Sequence, residues 1–197
     1  MRWLVVLIMC ILCLALLSCG DDDSTSPDDN TTYIYPLKIG NSWLSEIIYY
    51  NQQGAETSRD TFETTVARDT IIEGERWYQL ARDSVLISGF VANRLDGFWA
   101  YSPRQLLFQY PTEEGILYTG PNNSVTEVES ITDTVEVSAG EFCCYSYKKT
   151  SYGTDAFNRS KLAPGVGLVL NEVWYEGNDE VLIYRYALTT LLEYSVQ

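Results

Sequence analysis

Thr61-Phe62-Glu63-Thr64-Thr65-Val66-Ala67-Arg68-Asp69-Thr70-Ile71-Ile72-Glu73-Gly74-Glu75-Arg76-Trp77-Tyr78-Gln79-Leu80 is the stretch that decides the fold class. Phe62, Thr64 and Val66 recur at a spacing of two, so they line one face of an extended chain. The run is rich in Thr, Val and Ile, whose branched β-carbons suit a pleated surface. Glu73-Gly74-Glu75 then interrupts it, with glycine free to take the backbone angles a tight turn needs. A second β-prone run begins at Arg76. Strand, short turn, strand predicts an antiparallel hairpin.

The same grammar extends in both directions. Strands are predicted over 42–51, 61–72, 76–87, 90–101, 106–110, 125–137, 142–151, 167–176 and 181–190. In the last of these, Leu182, Tyr184, Tyr186 and Leu188 share a face. The separators are turn-formers: Gln52-Gln53-Gly54, Ser88-Gly89, Pro121-Asn122-Asn123, Ala139-Gly140 and Gly177-Asn178-Asp179. Gaps this short pair neighbours as hairpins. One short helical turn is expected near 156–162. The chain therefore reads as all-β, its antiparallel strands forming either a strongly curved, half-barrel-like sheet or a two-sheet sandwich. There is also an internal echo. Tyr35-Pro36-Leu37-Lys38-Ile39-Gly40-Asn41-Ser42-Trp43 and Tyr110-Pro111-Thr112-Glu113-Glu114-Gly115-Ile116-Leu117-Tyr118 share Tyr-Pro, a later glycine and a closing aromatic at the same spacings. It marks either two similar strand starts or a coincidence.

The N-terminus has a different character. Met1-Arg2 precedes an apolar run over 3–17, and Gly20-Asp21-Asp22-Asp23 follows. One cation and a short apolar core form a secretory signal. A spanning helix needs about 20 apolar residues, more than this run holds. It ends Leu16-Leu17-Ser18-Cys19, which resembles the bacterial lipobox. The resemblance implies cleavage between Ser18 and Cys19, then a diacylglycerol on the Cys19 thiol and an amide-linked third chain. Several chains anchor stably where one binds marginally. The expected organisation is a signal peptide over 1–18, a lipidated cysteine and disordered acidic tether over 19–32, and a single β domain over 33–197. Residues 20–32 offer no side chain able to bury enough apolar surface to offset ordering. The acidic start also resembles the aspartate-rich signals that some Gram-negative phyla use for export to the outer face of the outer membrane. Gly20, rather than aspartate, after the cysteine is at odds with inner-membrane retention.

The formal net charge is −14, and −15 once Arg2 leaves with the signal. Such a surface repels phosphate backbones, so no nucleic-acid partner is expected. Of the 5 cysteines, Cys10 and Cys13 lie in the signal and Cys19 is the lipid attachment point. Cys143 and Cys144 remain. Neighbouring strand residues point to opposite faces, so two separate thiols are expected, with Cys143 inward because the alternative face carries Ser146 and Lys148.

Three further segments carry a second resemblance: Tyr35-Pro36-Leu37-Lys38-Ile39-Gly40-Asn41-Ser42-Trp43, Ser138-Ala139-Gly140-Glu141-Phe142 and Ala163-Pro164-Gly165-Val166-Gly167-Leu168-Val169. Together they are similar to a recurrent set in secreted bacterial lipoproteins of unassigned function. Each also makes sense as architecture, with Pro164, Gly165 and Gly167 forming a tight bend before a strand.

The chain has no histidine. That removes Ser-His-Asp and Cys-His catalysis and the usual zinc sites. No phosphate-binding or dinucleotide-binding glycine loop is present. Paired carboxylates could support glycoside hydrolysis, but so many acids make some suitable pair inevitable. Glu176-Gly177-Asn178-Asp179-Glu180 offers oxygens for a hard cation, yet reads first as a hairpin turn. No catalytic residue, cofactor or metal is assigned. Adjacent aromatics at Trp77-Tyr78, Phe98-Trp99 and Trp174-Tyr175 should send one ring of each pair away from the core, as a binding face for protein or glycan or against a second covering layer. The sequence thus predicts a lipid-anchored envelope protein at the outer membrane, held there by acyl chains on Cys19, that binds or scaffolds without catalysis. The alternatives are a carrier of an apolar ligand in a concave sheet and a carboxylate-based enzyme such as a glycosidase.

Overall fold

The structure is a computed structural model and describes residues 32–120, 123–151, 153–177 and 183–197. The deciding hairpin is present: β2 (Glu56–Ile72) and β3 (Glu75–Arg82) pair antiparallel, with Ile72 opposite Glu75. Both turn residues have positive φ, 55° at Glu73 and 82° at Gly74. That is the mirror-image turn whose twist matches the strands it joins.

The other strands are β1 (Ser42–Tyr50), β4 (Val85–Leu86), β5 (Phe90–Arg94), β6 (Gly97–Tyr101), β7 (Gln105–Gln109), β8 (Leu117–Thr119), β9 (Val125–Val137), β10 (Gly140–Thr150), β11 (Phe157–Ala163), β12 (Gly167–Glu176) and β13 (Ile183–Ser195). They form one antiparallel sheet in the order β7-β6-β5-β3-β2-β1-β13-β12-β11-β10-β9-β8, with β4 beside β3. The fold is all-β, as read from the sequence.

Several local readings need correction. The strand expected over 90–101 is two, β5 and β6, folded at Leu95-Asp96 so that Arg94 faces Gly97. The strand expected over 76–87 stops at Arg82, and Asp83-Ser84, both at positive φ, turn it back as β4. The helical turn expected near 156–162 is strand β11, because β10 and β12 offer ladders on both sides. Local propensity yields to that pairing. Strand β8 had no sequence signal beyond the echo.

Topology forces the sheet to curl. Strands β7 and β8 are its two edges, yet only residues 110–116 join them. Twelve flat strands about 4.8 Å apart would separate those edges by about 50 Å. The connection reaches less than about 30 Å even when extended. The sheet therefore wraps until its edges approach, though no ladder joins them. Side chains link them instead: Tyr118 donates its hydroxyl to Leu107 C=O (3.1 Å), Gln109 N–H donates to Tyr118 Oη (3.4 Å), and Tyr147 on β10 donates to Gln109 C=O (2.8 Å).

The echo has a structural counterpart. Gly40 N–H donates to Val66 C=O, and Val66 N–H donates to Asn41 C=O. Gly115 N–H donates to Val128 C=O, and Val128 N–H donates to Ile116 C=O. Trp43 pairs with Thr64, two residues before Val66, and Tyr118 pairs with Thr126, two before Val128. The next strand breaks register at the same place: Val66 faces Leu80 and Arg68 faces Gln79, while Val128 faces Tyr147 and Ser130 faces Ser146. Both valines are buried. The chain thus builds one plan twice, head to tail: β1–β7 runs from the centre of the sheet to one edge, and β8–β13 runs from the other edge back to the centre, where β13 pairs with β1.

The inner face carries packed apolar clusters. Ile34, Phe98, Val128, Tyr147 and Leu162 form one buried cluster, joined by Tyr35, Leu37 and Phe108. Trp43, Val66 and Leu191 form a second that Tyr35 and Leu37 also touch. The segment before β1 therefore acts as a wedge. Tyr35 stacks on Phe98 (5.0 Å between centroids) and tilts against Trp43 (4.8 Å), while Asn93 Nδ2 donates to Tyr35 C=O (2.8 Å). Each large apolar side chain buried this way contributes about 1.5–3 kcal/mol.

Candidate functional site

Ser18 and Cys19, with the rest of the expected signal peptide and of the expected tether up to residue 31, lie outside the described residues, as do residues 178–180 of the acidic loop. Among the described residues, no three His, Cys, Asp or Glu side chains converge as a metal site would require.

The three segments that carried the second resemblance meet in one place. Trp43 Nε1 donates to Val166 C=O (2.6 Å), and Tyr35, Leu37, Ala139, Phe142 and Val166 pack on the Trp43 cluster. A Cβ on Gly167, itself at φ 98°, would come within 3.0 Å of the Tyr35 ring. These segments close the core; they do not form a surface site.

Cys143 and Cys144 are both free and face opposite ways, but the inward one is Cys144. It is fully buried with Val135, Ala163 and Val169, and Cys143 is exposed. The expectation failed because Ser146, counted against that face, is itself buried. Register shifts between Cys144, Ser146 and Tyr147 let successive residues turn inward. Burial pushes the Cys144 thiol up to about 12, with a smaller push from Asp133.

The aromatic pairs divide between faces. Phe98 turns to the interior and Trp99 to the opposite side. Tyr78 packs on the Trp43 cluster while Trp77 points away from it. Trp174 stacks on Phe157 (5.6 Å) and Tyr175 on Tyr186 (4.8 Å). Yet Trp77 is 0% exposed, so something covers it on the far face.

Its cover is a cluster from three strands, β3, β5 and β6, and the turns beside them. The Arg94 guanidinium lies 5.3 Å from the Trp77 ring and 4.7 Å from Trp99, within cation–π range of both. Arg104 lies 5.6 Å from Trp77, and Tyr101 meets the same ring edge-on at 5.1 Å. Carboxylates hold the guanidinium groups in place. Glu75 accepts from Arg94 and from Arg104 (3.2 Å), Glu73 accepts from Arg104 (2.9 Å), and Asp96 accepts from Trp99 Nε1 (2.9 Å). Beside this cluster lies a shallow open depression of about 370 Å³, lined by Glu73, Tyr101, Ser102, Pro103 and Arg104. Ser102 is held at φ 75° on its rim.

The sequence pointed to Trp77 and Trp99 as aromatics but not to their partners. Arg104, just before β7, reaches Glu73 and Glu75 at the start of β3 although β5 and β6 lie between those two strands in the sheet. No periodicity encodes that meeting.

Two solved structures resemble this one. One is described as a candidate lipoprotein from Parabacteroides distasonis, the other as a candidate exported protein with a YmcC-like fold from Bacteroides fragilis. Each shares 14% identity and aligns with a TM-score of 0.45, over 84% of this chain and 100% of its own. No protein-family model and no curated protein matches the chain.

Proposed function

We propose that the protein is a lipid-anchored component of the bacterial cell envelope, carried at the outer membrane by Cys19, and that its β domain is a non-catalytic binding module. The observation that carries this reading is the secretory signal ending in frame at Leu16-Leu17-Ser18-Cys19. Two features favour a binding module over the alternatives. Ile34, Tyr35 and Leu37 pack into the clusters on the inner face, the face on which a carrier would hold an apolar cargo. The depression lined by Glu73, Tyr101 and Arg104 joins an aromatic ring, a carboxylate and a guanidinium, which suits recognition.

The test is Cys19→Ser in the full-length chain, followed by metabolic labelling with a fatty acid and by fractionation. Label is expected to disappear, leaving either uncleaved precursor or soluble protein. Continued labelling, or maturation at residue 19 with unchanged membrane retention, would sink the assignment.

A further inference from the structure

We propose that the depression lined by Glu73, Tyr101 and Arg104 binds an uncharged oligosaccharide, an inference that rests on the reading of the domain as an envelope binding module. The fixed geometry of the depression's lining supplies the first argument. Trp77 is fully buried on the outer face of the sheet, under the Arg94 and Arg104 guanidinium groups and the Tyr101 ring. Glu73 and Glu75 in turn hold Arg104, so the aromatic, acidic and basic groups at the depression stand in set positions.

The second argument is the form of the depression. At about 370 Å³ it reaches the lower bound of ligand-sized sites, about 300 Å³. It is shallow, however, and a compact apolar ligand would stay largely wet in it. A sugar ring suits it better. Its C–H face packs on an aromatic ring such as Tyr101, and its neighbouring hydroxyls pair with planar groups. The Glu73 carboxylate accepts and the Arg104 guanidinium donates, each able to engage two hydroxyls.

Charge then selects among glycans. Arg104 and Arg94 are already matched by Glu73 and Glu75. The site offers donors and acceptors in fixed positions with no unmatched cation for an acidic sugar. The body around it is strongly acidic, which repels polyanions. Cationic ligands fare no better, because Arg94 and Arg104 already occupy the face of Trp77.

The experiment uses the detergent-solubilised full-length lipoprotein, titrated with cellotetraose and chitotetraose as uncharged ligands and with a galacturonic acid tetramer as the acidic one. Calorimetry and tryptophan emission report binding. At least one uncharged tetramer is expected to bind and to shift the emission of Trp77 and Trp99, and the acidic one is not. Tyr101→Ala and Glu73→Gln should each weaken binding about tenfold, the loss of one good contact. Tyr175→Ala, 45% exposed at a different aromatic cluster, should leave it unchanged. Tyr101 touches Trp77, so if Tyr101→Ala lowers the melting temperature, Glu73→Gln decides alone; its side chain is 65% exposed. Failure of both uncharged tetramers, preference for the acidic one, or equal loss in Tyr175→Ala would overturn the proposal. Fatty-acid labelling of Cys19, read on the same preparation, separates this failure from failure of the anchoring assignment.

Discussion

At the scale of single residues, Cys143 and Cys144 show how far a sequence can be read. Period-two geometry places adjacent side chains on opposite faces, and the structure places them so. Which one turns inward depended on Ser146, a residue whose polarity argues for solvent but which is buried beside a register shift. The consequence can be measured. Alkylation under native conditions followed by mass mapping should modify Cys143 quickly. Cys144 should resist until the protein unfolds, because its thiol is buried and its ionisation is pushed up to about 12, and the thiolate is the reactive form. Equal, fast modification of both would place this part of β10 outside the sheet. Trp77 makes the complementary point. Its outward direction was legible from its neighbour Tyr78, whereas its burial was not, because the side chains that cover it come from distant strands.

At the scale of elements, the hairpins were legible and the seam was not. Consecutive strands pair wherever the gap is short, as β2–β3 and β9–β10 illustrate. Strand β8 escaped notice because it has three residues and a ladder on one side only. Its importance lies in the bonds Tyr118 makes across the seam to β7. Tyr118→Phe removes both while keeping the ring. A typical hydrogen bond contributes about 0.5–1.5 kcal/mol net, and a buried acceptor left unpaired costs more. The variant is expected to lose about 1–3 kcal/mol in urea unfolding. Amide exchange at Gln109 should quicken while that at Val66 stays as it was. An unchanged midpoint with unchanged exchange at Gln109 would show that the seam is held by packing alone.

At the scale of the molecule, the curled sheet follows from a plan repeated twice and joined at β1–β13, with the remaining edges drawn together by a short connection. The echo between 35–43 and 110–118 was the only trace of this in the sequence, because the repeat resides in backbone hydrogen bonds that many side chains can satisfy. The same curling gathers protonated, ionisable groups into the interior, and this has a pH signature. Burial raises the phenols of Tyr35 and Tyr147 far above the ordinary range, and that of Tyr118 to about 12. Tyr145 and Tyr110 add to the push on Tyr147. The Cys144 thiol also rises to about 12, with Asp133 raising it further and Lys161 opposing. In the unfolded chain these groups release their protons near pH 8.5 for cysteine and pH 10 for tyrosine, roughly. Above those values the unfolded state binds fewer protons than the folded one, so stability falls as pH rises. Below about pH 8 both states keep these protons and the groups contribute no slope. Between the unfolded and folded values each group removes about 1.4 kcal/mol per pH unit. Urea midpoints should therefore be level from about pH 7 to pH 8 and drop steeply above about pH 10. The phenolate absorbance of the buried tyrosines should appear together with unfolding rather than before it. A midpoint that stays level to about pH 11.5, or phenolate signal from all the tyrosines while β structure persists, would mean that these hydroxyls reach solvent and that the curled sheet is more open than its packing implies.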